Sequence, residues 1–165
     1  MRHFVAILMG SDSDYEVMLE SANILKKLDV AYELKITSAH RTPDITKAYI
    51  KEAEDRGCRV FIAAAGLAAH LAGAISAQTL RPVLGVPIDS GPLKGLDSLL
   101  STVQMPAGVP VGTLALGKAG ARNAAFLAAS ILAVADDELH QRLLAERKAQ
   151  ADKVVEKDSQ LGHSS

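Results

Sequence analysis

Short apolar runs alternate with helix-period segments along almost the whole chain, and that alternation most limits its fold. Phe4 to Met9 is apolar at every position, as in a strand buried on both faces of a parallel sheet. The next segment repeats at helical spacing, with Met18, Ala22, Leu25 and Leu28 on one face. Tyr32, Leu34 and Ile36 then alternate with Glu33 and Lys35, which marks a half-exposed strand near a sheet edge. Thr42-Pro43-Asp44 reads as a helix start, with a hydroxyl cap, proline in the first turn and an acid beside it. Ile45, Ala48, Tyr49 and Ala53 are expected on the inner face of that helix, which Gly57 stops.

The same pattern continues. Strands are expected over Val60–Ala65, Val83–Val86 and Val109–Leu116, and helices over Ala69–Thr79, Leu96–Gln104, Ala119–Val134 and Asp137–Glu156. About five strand–helix alternations predict an α/β fold, a parallel sheet between two helical layers. Crossover handedness and the half-polar second strand favour a flavodoxin-like order with strands one and three adjacent at the centre. One domain is expected over residues 1–157, with 158–165 as a loose tail. The helix Ala119–Val134 has almost no polar face, so it is expected to be buried. Burial against another subunit is the favoured reading, and packing within one monomer the alternative.

A net charge of −1 with no basic stripe argues against nucleic acid or a membrane surface as partner. The longest apolar run, Ala124–Ala135, falls short of the roughly 20 residues a bilayer needs. No signal-peptide layout opens the chain, and its one cysteine, Cys58, fits a reducing compartment, so a cytoplasmic location is expected.

Ligands of such sheets sit beyond the carboxyl ends of the strands, where strand order reverses. Three loops follow the first three strands: Gly10-Ser11-Asp12-Ser13-Asp14, Ser38-Ala39-His40-Arg41-Thr42-Pro43 and Gly66-Leu67-Ala68-Ala69-His70. Backbone N–H groups ahead of a helix, with the hydroxyls of Ser11 and Ser13, suit an anion, and Asp14 suits ribose hydroxyls. Arg41 offers a planar fork for phosphate or carboxylate. An imidazole exchanges protons near neutral pH, so His40 is a candidate acid and base. Small residues in the third loop let a flat ligand approach the backbone, with His70 beside it. Read singly, each loop also admits a structural role: capping for the serines and aspartates, hydrogen bonding for the histidines, solvation for Arg41.

Other chemistries find no support. Gly112 to Lys118 has P-loop spacing, but Ala119 stands where a hydroxyl should hold magnesium, and the intervening residues read as the strand itself. There is no GxGxxG, HExxH or serine elbow, and no clustered metal ligands. The residues alone point to a cofactor-free site for a phosphorylated small molecule.

In their order, MGSDSD at Met9–Asp14, SAHRTPD at Ser38–Asp44, AAHL at Ala68–Leu71, PVLGVP at Pro82–Pro87 and QMPAGVPVGTLALGKAGARNAA at Gln104–Ala125 resemble one family. It is the phosphoribosylaminoimidazole carboxylase catalytic subunit family, in its mutase branch, and the resemblance covers nearly the whole chain. It implies a flavodoxin-like homo-octamer, with C-terminal helices packed across neighbours, acting in purine (IMP) biosynthesis. It implies conversion of N5-carboxyaminoimidazole ribonucleotide to 4-carboxy-5-aminoimidazole ribonucleotide without ATP, biotin or metal. Carried onto this chain, His40 is the acid–base, Ser11 and Asp14 hold the ribose phosphate end, and Arg41 pairs with phosphate. Ser13, Ser38, Ala39, Gly66, Ala68, His70 and Leu71 complete the implied substrate site.

Arg41 and Ala68-Ala69-His70 favour this branch over relatives that carboxylate aminoimidazole ribonucleotide directly with CO2 and read SAHK. A flavodoxin-like nucleotide-binding module without chemistry is the reading from another class. Leu67, Ala72 and Ala74 depart from the family's usual glycine, proline and methionine. A leucine at position 67 would be strained if that loop requires positive φ.

Overall fold

A computed structural model describes residues 3–161. Five parallel strands form one sheet: β1 (Phe4–Met9), β2 (Ala31–Ile36), β3 (Cys58–Ala65), β4 (Val83–Pro87) and β5 (Gly112–Thr113). Their order is β2-β1-β3-β4-β5, the flavodoxin-like arrangement expected from the sequence. Six helices connect and follow them: α1 (Tyr15–Lys27), α2 (Pro43–Asp55), α3 (Leu71–Ser76), α4 (Leu96–Val103), α5 (Gly117–Ala133) and α6 (Asp137–Gln160). A single 3-10 turn, Asp12–Asp14, leads into α1.

The pleat of β1 divides its side chains between two cores. Val5, Ile7 and Met9 face α1 and α5 together with Val60, Ile62 and Leu84. Phe4, Ala6 and Leu8 face α2 and α3 together with Phe61 and Ala63. This double burial is why β1 is apolar at every position and β3 is apolar from Val60 onward, while β2 at the edge stays half exposed. Between α1 and α5, alanines allow a close approach, and the Ser21 hydroxyl crosses it to donate to the Ala121 carbonyl at 2.6 Å.

Four expectations are corrected. The fifth strand covers only Gly112–Thr113 rather than Val109–Leu116. Pro110 has no N–H to give, Val109 is held in a turn by the Pro106 carbonyl, and the chain enters α5 at Gly117. The buried face of α2 is Thr46, Tyr49, Ile50 and Ala53, leaving Ile45 and Ala48 exposed. Thr46 sets this phase: its hydroxyl shares a 2.6 Å hydrogen bond with that of buried Thr37. The alanine face of α5 is buried within the chain itself, against α1 and the sheet, so no other subunit is needed to cover it. Finally, α6 runs to Gln160, past the expected end at Glu156 and into the expected tail, whose residues 162–165 lie outside the described residues.

Candidate active site

All the site loops leave the carboxyl ends of the strands, and they enclose one cleft of about 580 Å³. It gathers every residue expected from the sequence. Ser11, Ser13 and Asp14 come from the loop after β1, Ser38, Ala39, His40 and Arg41 from that after β2, and Gly66, Ala68, His70 and Leu71 from that after β3. Gly10 and Leu67, from the expected loops, line it too, as do Ala65 and Ser90, which were not expected. Ser90 adds a fourth loop, the one after β4, which is rich in Gly and Pro. Its place at the carboxyl end of an inner strand was the available signal.

The loop after β2 is shaped by its own hydroxyls. Thr42 Oγ1 accepts from the Ser38 N–H at 2.9 Å, and Ser38 Oγ accepts from the Arg41 N–H at 3.1 Å. This turn presents His40 and Arg41 to the solvent side of the cleft, where both are exposed. The Arg41 guanidinium reaches toward the loop after β1 and donates to the Gly10 carbonyl at 3.4 Å. Ser11 and Ser13 are less free as donors than the sequence suggests. Their hydroxyls donate to the carboxylates of Asp12 and Asp14, at 3.0 and 3.3 Å. Asp14 is buried, and burial pushes its carboxyl above the usual range, against the lowering effect of the Ser13 and Ser11 hydrogen bonds.

His40 and His70 meet directly. Nε2 of His40 lies 2.7 Å from Nδ1 of His70, with the rings edge-on at 83° and centroids 4.8 Å apart. One of these two nitrogens must carry the shared proton and the other accept it. Two imidazoles so joined are placed such that a proton can pass between them without large movement of either ring.

The loop after β3 is strained where the sequence departs from the family pattern. Leu67 adopts φ +54° and is half exposed at the cleft rim. A left-handed residue with a Cβ costs roughly 1–2 kcal/mol. Leu67 lies against Gly91 of the loop after β4, so tightly that a Cβ at 91 would lie 2.4 Å from its Cδ2. Ser101 of α4 braces the backbone beneath, accepting from the Ala69 N–H at 3.3 Å.

Among the described residues, no group of three or more His, Cys, Asp or Glu is placed to hold a metal ion, and no helix is long and apolar enough to cross a membrane. Cys58 lies away from the cleft, at the start of β3, where burial pushes its thiol up to about 11. It is packing rather than a nucleophile.

Residues 4–153 match the family described as AIR carboxylase. The chain is 57% identical over 158 residues to the N5-carboxyaminoimidazole ribonucleotide mutase of Escherichia coli strain K12, covering 96% of this chain and 94% of that protein. It is 51% identical to the protein of the same name from Bacillus subtilis strain 168, over 98% of this chain and 99% of that one. Among solved structures it is similar to Treponema denticola PurE, with a TM-score of 0.88 and 30% identity, covering 98% of this chain and 100% of that one.

Proposed function

The chain belongs to the AIR carboxylase family, and from that premise we propose that it is a mutase. It converts N5-carboxyaminoimidazole ribonucleotide to 4-carboxy-5-aminoimidazole ribonucleotide in purine biosynthesis. The observation that carries this reading is the His40–His70 pair, set in a cleft beside Arg41.

In the reaction the bond between N5 and the carboxylate carbon breaks. CO2 leaves, and the electron pair stays on nitrogen, which takes up a proton. Ring carbon C4 then attacks CO2 and loses its own proton. One proton is gained and one lost, so a single imidazole can serve both steps, and His40 is that group. His70 holds the facing nitrogen of His40 and fixes which tautomer meets the substrate. Arg41 takes the phosphate, and Ser11, Ser13 and Asp14 hold the ribose phosphate end. Ser38 keeps the loop in shape, and Ala39, Gly66, Ala68 and Leu71 form a close-fitting wall. Keeping CO2 beside C4 avoids a bimolecular step, an advantage of up to ~7–11 kcal/mol for well-aligned reactants.

The protein works as a homo-oligomer, an octamer, and in the cytoplasm, where a single buried cysteine is at home. Assembly is supported by apolar surface on the two C-terminal helices. Val134, Leu144, Val154 and Val155 are exposed there, and Leu144 lines a groove with Phe126, Ala133 and Leu143.

An assay that offers each imidazole ribonucleotide separately, with and without bicarbonate, tests the reaction. Turnover of the N5-carboxylated substrate, independent of bicarbonate, is expected. A requirement for aminoimidazole ribonucleotide plus bicarbonate would make the protein a direct carboxylase. Turnover of neither would leave a binding module.

A further inference from the structure

Four serines line the cleft, and three of their hydroxyls are engaged by the protein. Those of Ser11 and Ser13 donate to neighbouring carboxylates, and that of Ser38 accepts from the Arg41 N–H. Ser90 is the exception: its hydroxyl has no hydrogen-bond partner among the described residues. It is nevertheless closely seated. A Cβ built at Gly66 would lie 2.2 Å from Ser90 Oγ. Gly66 is not at positive φ, so its backbone does not demand glycine; the space for the Ser90 hydroxyl does. On its other side Ser90 is followed by Gly91 at φ +75°, locked under the Leu67 side chain. Two neighbouring glycines and a strained leucine thus hold a half-buried, unpartnered donor at the cleft wall.

Its place in the sheet says what it meets. Arg41 follows β2 and Ser90 follows β4, three strand spacings away in the order β2-β1-β3-β4, or roughly 14 Å. With the phosphate at Arg41 as proposed above, the imidazole and its carboxylate would lie past the His40–His70 pair, toward the β4 side of the cleft. We propose that Ser90 is a substrate-binding residue whose hydroxyl donates to the carboxylate that migrates. This rests on the reaction proposed above and adds to it a group that selects carboxylated ligands.

Titration calorimetry on Ser90→Ala with two ligands tests it. The ligands are 4-carboxy-5-aminoimidazole ribonucleotide and aminoimidazole ribonucleotide, which lacks the carboxylate. The variant should bind the carboxylated ligand ~10-fold or more weakly, as for the loss of a hydrogen bond to a charged group. Affinity for the other ligand should stay within about twofold of wild type. Equal losses on both ligands, as from a collapsed loop, or no loss on either, overturn the assignment. The wild-type conversion assay is judged separately. A wild-type protein that fails to convert the N5-carboxylated substrate refutes the reaction, whereas one that converts it while Ser90→Ala keeps the wild-type ligand preference refutes Ser90 alone.

Discussion

His40 and His70 are thirty positions apart in the chain and share one hydrogen bond across the cleft. If His40 carries the proton, His40→Asn should fold, bind the ribonucleotide and lose kcat by ~10²–10⁴-fold, with KM less affected. His70→Asn should lose less, because an amide at position 70 can still hold the facing nitrogen. Steady-state kinetics across the neutral pH range make the comparison, so that a displaced optimum is not mistaken for a loss. Retention of more than about a tenth of wild-type kcat by His40→Asn would remove that residue from the acid–base role. The sequence named both histidines but not their contact, since nothing in the spacing of two loops reports the distance between them. It did flag Leu67 as a residue that positive φ would strain, and the φ of +54° bears that out. Ser90 escaped it because a lone serine in a loop carries no pattern, and only its place after an inner strand could have flagged it.

Helix α5 shows how far periodicity can be read. Its uniform apolarity correctly announced burial, but not by what. The alanine face lies on α1 and the sheet, while Leu127 and Val134 face outward. Likewise the hydrophobic pattern of α2 suggested Ile45 inside, whereas a threonine hydroxyl bonded to Thr37 turns Thr46 inward instead. Strands apolar throughout and a strand that alternates were enough to rank centre and edge, because burial on two faces or one leaves that mark. The fifth strand failed the same reading: the apolar residues around Pro110 are only half-buried, and Pro110 itself has no N–H for the ladder. Near the start of α5, Gly120 sits where a Cβ would lie 1.6 Å from the Ala115 carbonyl oxygen. Gly→Ala inside a helix ordinarily stabilises by up to about 1 kcal/mol. Here the neighbour is backbone and cannot rotate away, so Gly120→Ala should destabilise by ~1–3 kcal/mol, as overpacking does. Urea unfolding measures it, and a raised midpoint for the variant would contradict this account.

For the molecule as a whole, the apolar surface of the last two helices is what the proposed assembly would cover. Most of α6 stands on the surface, with Leu139 its one residue buried among those described, yet it carries Leu144, Val154 and Val155 exposed along its length. Light scattering at micromolar concentration should therefore give a mass several times the 17.4 kDa of one chain. A particle of 17.4 kDa would show that these faces stay open to water. One consequence concerns the polarity of the sheet. Every strand runs the same way, so the cleft opens at one end, while His3 leads into β1 at the other. A purification handle, an immobilising linker or a second enzyme joined ahead of His3 therefore meets the sheet at the end opposite the cleft proposed to take the nucleotide.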